Sequence, residues 1–279
     1  MRPITSILFI LLFTACTTIE ITEQDAFENH RTVTPETFDF QSYTLHEKDI
    51  ETDDGETISS WFIEHENAQA TVIYFGGNAY LMVKSPPLLD VYSEIPVNLV
   101  LFDYRGYGKS SGSPSVQGVQ TDAIAVFNET AAHFRSNDAN HPIFVHGQSM
   151  GTFIAAFMAD HETVDGYILE NPITEVNNWT RRMLPWILRP FVRFDIERSI
   201  DSQSNLERAA STDSPLLIFT GSNDMITQSW MADEIYEASA SDQKDLVKIA
   251  GGTHNDLPSF SIYQTRLREF LTGENNDYQ

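Results

Sequence analysis

The chain has 279 residues, 41% of them hydrophobic and 20% charged, a globular rather than a disordered composition that suits one large domain or two small ones. A formal net charge of −23 with only five lysines speaks against a nucleic-acid partner, because phosphate binding needs clustered Lys and Arg. The single cysteine rules out an internal disulfide.

That cysteine follows a telling stretch. "MRPITSILFILLFTACTT" carries one positive charge at Arg2, an apolar run from Ile7 to Phe13, and then Thr14-Ala15-Cys16. The run is too short to span a bilayer and reads as an export signal. Small residues directly before a cysteine resemble the bacterial lipobox, which implies a signal peptide over 1–15 and lipidation of Cys16. A lipidated Cys16 places the mature protein in the cell envelope, held to a membrane by buried CH₂ groups at about 0.8 kcal/mol each. Thr17 after the cysteine, in place of Asp, favours the outer membrane or the periplasmic face. An ordinary secretory signal or a poorly cleaved anchor is the alternative reading. Residues 16–40 are polar without a sustained period and are expected to be a tether, with a reach of roughly 25–30 Å.

The domain proper is expected over 41–279. "YTLHEKDIETDDGETISSWFIEHE" holds two alternating segments around Asp54-Gly55, a hairpin signal. From residue 71 short apolar runs alternate with helical stretches: "TVIYF" (71–75), "VNLVLFD" (97–103), "PIFVHG" (142–147), "GYILEN" (166–171), "PLLIFTG" (215–221) and "DLVKIAG" (245–251). Their lack of clean alternation fits strands covered on both faces, hence an α/β fold with a mostly parallel central sheet. Helices are predicted over 117–135, 151–161, 228–239 and 258–271. Residues 172–208 show no strand signal and are expected to form a small cap insertion above the sheet.

In open parallel sheets, sites form beyond the carboxyl ends of the strands. Gly147-Gln148-Ser149-Met150-Gly151 lies there, between a strand and a helix. Such an elbow needs small residues around a nucleophilic serine, and it puts the Met150 amide at a helix N-terminus, where it suits an oxyanion. Serine needs a base, and the base an orienting acid. Of eight histidines, His30, His46 and His65 lie too early in the sheet order. His133, His141 and His161 fall near helix ends, and His146 sits on a strand and reads as core. His254, in "AGGTHNDLP", follows the last strand in a short loop and is the expected base. Asp224, just after the strand 215–221, is the favoured acid; Glu170, at the end of the preceding strand, is the rival. Gly76-Gly77-Asn78 after the strand "TVIYF" is the expected source of the second oxyanion amide.

Together "YFGGNA", "LFDYRGYGKSSGSPS", "VHGQSMG", "ENP", "TGSNDMI" and "GGTHND" resemble the α/β-hydrolase family, most of all its lipase, esterase and acyl-hydrolase branch. The resemblance runs from about residue 44 to 272. It implies an α/β-hydrolase fold with Ser149 as nucleophile, His254 as base, Asp224 as acid, and the amides of Met150 and Asn78 as the oxyanion hole. Gly76 stands where relatives often have histidine. The segment "DYRGYGKSSG", with Arg105, reads as architectural.

The cap stretch "NNWTRRMLPWILRPFVRFDIERS" (177–199) holds five of the twelve arginines among aromatic and aliphatic side chains. Trp186, Arg189, Phe191 and Arg193 are the expected lid or substrate contacts, with anionic head groups as one partner and carboxylates of this acidic chain as the other. The expected activity is cleavage of a carboxylic ester or thioester of a small molecule or lipid through an acyl-enzyme. No Cys/His cluster or phosphate-binding loop appears, so no metal or organic cofactor is expected. The alternatives are a serine peptidase on short peptides and a non-catalytic binding lipoprotein.

Overall fold

The computed structural model describes residues 17–28, 43–136 and 140–273. The signal peptide expected over 1–15 and the lipidation site at Cys16 lie outside the described residues. Ten strands are described: β1 (Thr17–Ile21), β2 (Tyr43–Glu51), β3 (Thr57–His65), β4 (Ala70–Phe75), β5 (Val97–Phe102), β6 (Ile143–Gln148), β7 (Gly166–Glu170), β8 (Val192–Ile196), β9 (Leu216–Gly221) and β10 (Lys244–Ile249). Eight of them form one sheet in the order β10-β9-β7-β6-β4-β5-β3-β2. The β2–β3 hairpin turns through Asp54-Gly55 as expected, with Gly55 at φ +88. β3 then pairs antiparallel with β5, and the pairs from β5 to β10 are parallel. Every residue of β4, β5, β7 and β9 is buried, which is why these runs read as continuously apolar.

The helices are α1 (Glu23–Ala26), α2 (Pro86–Tyr92), α3 (Val116–Phe134), α4 (Gly151–His161), α5 (Val176–Met183), α6 (Arg198–Asp201), α7 (Asn205–Ser211), α8 (Trp230–Ala238) and α9 (Ser261–Thr272). Helix α3 starts where the Ser115 side chain accepts the Gly118 amide at 3.0 Å, and α9 stops at Gly273, whose φ is +69. α3, α4, α7 and α8 touch in succession, while α2 and α9 each meet the 3₁₀ turn Leu257–Ser259. Arg105 ties the hairpin to α3: it reaches Asp54 at 2.7 and 3.0 Å and Asp122 at 2.8 Å. Burial pushes the Asp122 carboxyl up, although the guanidinium beside it works in the opposite sense.

Strand order reverses at β4: the chain steps from β4 to β5 on one side, then returns across it to β6 on the other. Beside that switch point the carboxyl ends of β4 and β6 lie side by side, with Phe75 opposite Gly147.

Two expectations are corrected here. Residues 17–28 are not a tether. β1 lies parallel on β8, with Ile19 opposite Phe194 and Ile21 opposite Ile196, and α1 follows it. The insertion 172–208 likewise does hold a strand, β8, whose "VRFDI" alternates half-buried Val192, Phe194 and Ile196 with exposed Arg193 and Asp195. Each strand is too short to announce itself, and each is stabilised by the other across about 170 residues of sequence. An antiparallel bridge between Glu175 and Ser204 pinches the insertion at its base.

Candidate active site

Ser149 stands between the last residue of β6 and the first turn of α4, with its backbone at φ +52. A non-glycine residue in this region carries strain of about 1–2 kcal/mol, and the surroundings over-determine it. The Ser149 amide donates to Glu170 O at 2.9 Å, and its carbonyl accepts from the Thr152 amide (3.0 Å) and hydroxyl (2.6 Å). The flanking glycines are steric necessities. A Cβ on Gly151 would stand 2.0 Å from Phe75 O, and one on Gly147 would stand 2.3 Å from Gly151 O. We therefore expect Gly151→Ala to destabilise the fold by about 3 kcal/mol or more, read as a lowered denaturation midpoint, because backbone and not a flexible side chain blocks the space.

His254 brings the loop after β10 to Ser149. Its Nε2 lies 3.0 Å from Ser149 Oγ, and its Nδ1 lies 2.7 Å from Asp224 Oδ2. Because the carboxylate only accepts, Nδ1 carries the proton and Nε2 is left to accept from the serine hydroxyl. Asp224 is buried in the loop after β9. Its Oδ1 accepts the amides of Ile226 (2.7 Å) and Thr227 (2.9 Å), and its Oδ2 also accepts the Thr227 hydroxyl at 2.7 Å. Burial raises this carboxyl, but the hydrogen bonds from His254 and Thr227 outweigh burial and hold it below its usual value.

The rival carboxylate is engaged elsewhere. Glu170 is buried, accepts the Tyr263 hydroxyl at 2.7 Å and lies 3.3 Å from His146 Nε2, within ion-pair distance but without hydrogen-bond geometry. His146 is a core residue, as expected, and its Nδ1 meets the Tyr92 hydroxyl at 2.7 Å. Asn171, which the sequence reading did not single out, closes the arrangement from below. It is fully buried at φ +46; its Oδ1 accepts the Gly221 amide at 3.0 Å, while its Nδ2 donates to His254 O at 3.0 Å. One side chain thus joins the end of β9, which launches Asp224, to the His254 loop. The positive φ marks a position Asn tolerates better than most residues.

Met150 and Asn78 flank Ser149 on the wall of a cavity of about 760 Å³. Among the described residues neither backbone amide is taken by a protein acceptor, and Met150 stands at the N-terminus of α4. The Asn78 side chain is held: its Oδ1 accepts from the Glu28 amide (2.9 Å), the Ala79 amide (3.0 Å) and the Tyr107 hydroxyl (3.3 Å). The cavity contains Ser149 and His254 and is otherwise largely apolar. The cap contributes Trp179, Met183, Leu184, Phe194 and Ile200. Trp186, Arg189, Phe191 and Arg193 do not line it; they lie on the outer surface, with Trp186 78% exposed. The expected lid contacts thus lie off this cavity, on a face that the sequence could not distinguish from the cap's inner one. Ile19, Ile21 and Phe27 line the cavity as well and were missed; the alternation in "TTIEI" was the available signal.

A family model described as serine aminopeptidase, S33, matches residues 66–205, half of the chain. The chain is 28% identical over 224 residues to an uncharacterized membrane protein of Saccharomyces cerevisiae, covering 79% of this chain and 77% of that one. It superposes on the Pyrococcus furiosus esterase Pf2001 with a TM-score of 0.70 and 20% identity, over 88% of this chain and 96% of that one. A soluble variant of the monoglyceride lipase of Saccharomyces cerevisiae superposes with a TM-score of 0.66 and 17% identity, over 86% and 98% of the two chains. At such identities these structures speak for the fold. The strand order, the elbow and the family match agree: this hydrolase belongs to the serine aminopeptidase S33 family and has the α/β-hydrolase fold.

Proposed function

We propose that the protein is a serine hydrolase of acyl esters or thioesters. Ser149 Oγ attacks the acyl carbonyl carbon while His254 Nε2 takes its proton, and the imidazolium then gives that proton to the departing alcohol or thiol. Water, deprotonated by His254, cleaves the acyl-enzyme and releases the carboxylic acid. Asp224 holds the imidazole in the required tautomer and stabilises its charged form. The amides of Met150 and Asn78 receive the tetrahedral oxyanion. The observation that carries the reading is the hydrogen-bonded series Ser149–His254–Asp224 opening into a largely apolar cavity.

A serine peptidase on short peptides is the second reading, favoured by the description of the family. Against it stands the largely apolar cavity wall, where Asp25, with one oxygen engaged by the Thr22 amide and hydroxyl at 2.9 and 2.7 Å, is the single carboxylate among the lining residues. Profiling the protein on acyl esters of increasing chain length beside aminoacyl amides separates the two. Turnover of esters with a preference for longer chains is expected; turnover confined to aminoacyl amides would overturn the ester reading.

The same proposal extends to location. Cys16 carries lipid at the cell envelope, and the outer face of the cap meets an anionic membrane. Among the described residues no helix is long and apolar enough to cross a membrane. Support comes from exposed Trp186, Ile187, Leu188 and Phe191 beside a second hollow, of about 390 Å³, bordered by Arg181, Arg182 and Arg189. Arg189→Glu/Arg193→Glu is expected to weaken binding to anionic vesicles by roughly tenfold or more, at about 1 kcal/mol for each charge removed and more for reversal. Unchanged vesicle binding by a normally folded double variant would sink the idea.

A further inference from the structure

We infer that the N-terminal segment Thr17–Glu28 is a specificity element of the active site: it forms one wall of the acyl cavity and sets the length of chain the cavity accepts. This rests on the acyl-hydrolase reading above. Ile19, Ile21, Ala26 and Phe27 face the same cavity as Ser149 and His254, although they lie more than 120 residues away in sequence. Side chains of the cap and of α4, among them Phe153, Val176 and Trp179, line the same cavity.

The segment is fastened at both ends and in the middle, which makes it a wall rather than a loose arm. At its start the Thr17 amide donates to Phe191 O at 2.9 Å, and β1 runs along β8 until the Glu197 amide donates to Ile21 O at 2.9 Å. In the middle, Glu23 bridges two elements: its side chain accepts the Val116 amide at the head of α3 (3.0 Å), and its own amide donates to the Glu197 carboxylate (2.9 Å). At its end Phe27 is buried in the main core, and the Glu28 amide donates to Asn78 Oδ1. An isolated two-stranded ribbon is marginal in water, so these outer attachments and the apolar contacts of Ile21 and Phe27 are what keep β1 in place. Ile21 packs against the cluster of Phe153, Ile173, Val176, Ile200 and Met231, where a change of side-chain volume alters the depth of the cavity without touching the reacting groups.

The test is a chain-length profile, from acetate to palmitate esters, of the full-length wild type, Ile21→Trp and Ile21→Ala, with thermal melting as the check on folding. Ile21→Trp is expected to lower kcat/KM for the long-chain esters by about tenfold or more relative to the acetate ester, since hydrophobic pockets discriminate by factors of this size. Ile21→Ala, the safer variant for folding, is expected to move the optimum toward longer chains. Profiles of both folded variants superimposable on an active wild type would overturn the inference. A wild type that hydrolyses none of these esters would instead overturn the acyl-hydrolase reading beneath it.

Discussion

Ser149→Ala is expected to lower kcat on an acyl ester by roughly 10⁵–10⁶-fold and to abolish labelling by a fluorophosphonate, with the fold intact. The hydroxyl is the group on which His254 Nε2 closes at 3.0 Å, and removing it leaves the imidazole nothing to activate but water. On the proposed mechanism the residual rate then comes from the amides of Met150 and Asn78 and from binding, worth roughly 10³–10⁴ over the uncatalysed reaction. The position also stores strain. Ser149→Gly, which suits φ +52, is expected to be equally inactive yet more stable than wild type by about 1 kcal/mol, read from denaturant unfolding. Absence of labelling in the folded wild type, or labelling that persists in Ser149→Ala, would remove the assignment of nucleophile and return the protein to the binding lipoprotein considered from the sequence.

The second large effect separates two carboxylates. Asp224→Asn is expected to reduce kcat by about 10⁴-fold, because an amide nitrogen facing Nδ1 reverses the tautomer and leaves Nε2 protonated against the serine hydroxyl. Glu170→Gln is expected to change kcat by only a few fold, since Gln keeps an acceptor for Tyr263 and Glu170 does not touch His254. Single-turnover acylation of the two variants makes the comparison, and the reverse ranking would transfer the acid's role to Glu170. A pH signature accompanies it. The folded-state value of Asp224 is depressed, so its contribution to stability is complete above the ordinary Asp value near 4 and is lost as pH falls through the lower folded value. The stability gap between wild type and Asp224→Asn should therefore shrink on acidification below about pH 4.

Much of this was legible locally. A run such as "TVIYF" reads as a doubly covered strand because both faces of β4 are buried. Gly147 and Gly151 read as an elbow because a Cβ at either one strikes backbone. His254 and Asp224 were found by their places after successive strands, since a parallel sheet delivers all its carboxyl ends to one edge. The residues that escaped are those whose meaning depends on a distant partner. Asn171 is an ordinary loop residue until the fold sets Gly221 on one side of its amide and His254 on the other. Ile19 and Ile21 sit in a polar stretch that looked like a tether until β8 arrived beside them.

The sequence by itself therefore determined the α/β class and the strands around Ser149, and it singled out Ser149 and His254 while leaving Asp224 and Glu170 as rival acids, because periodicity, glycine placement and chain order are local properties. The tertiary structure alone decided which carboxylate faces His254, which side of the cap lines the cavity, and that the cavity borrows a wall from residues 17–28. Those outcomes depend on contacts between segments far apart in the chain, and nothing in either segment records the position of the other.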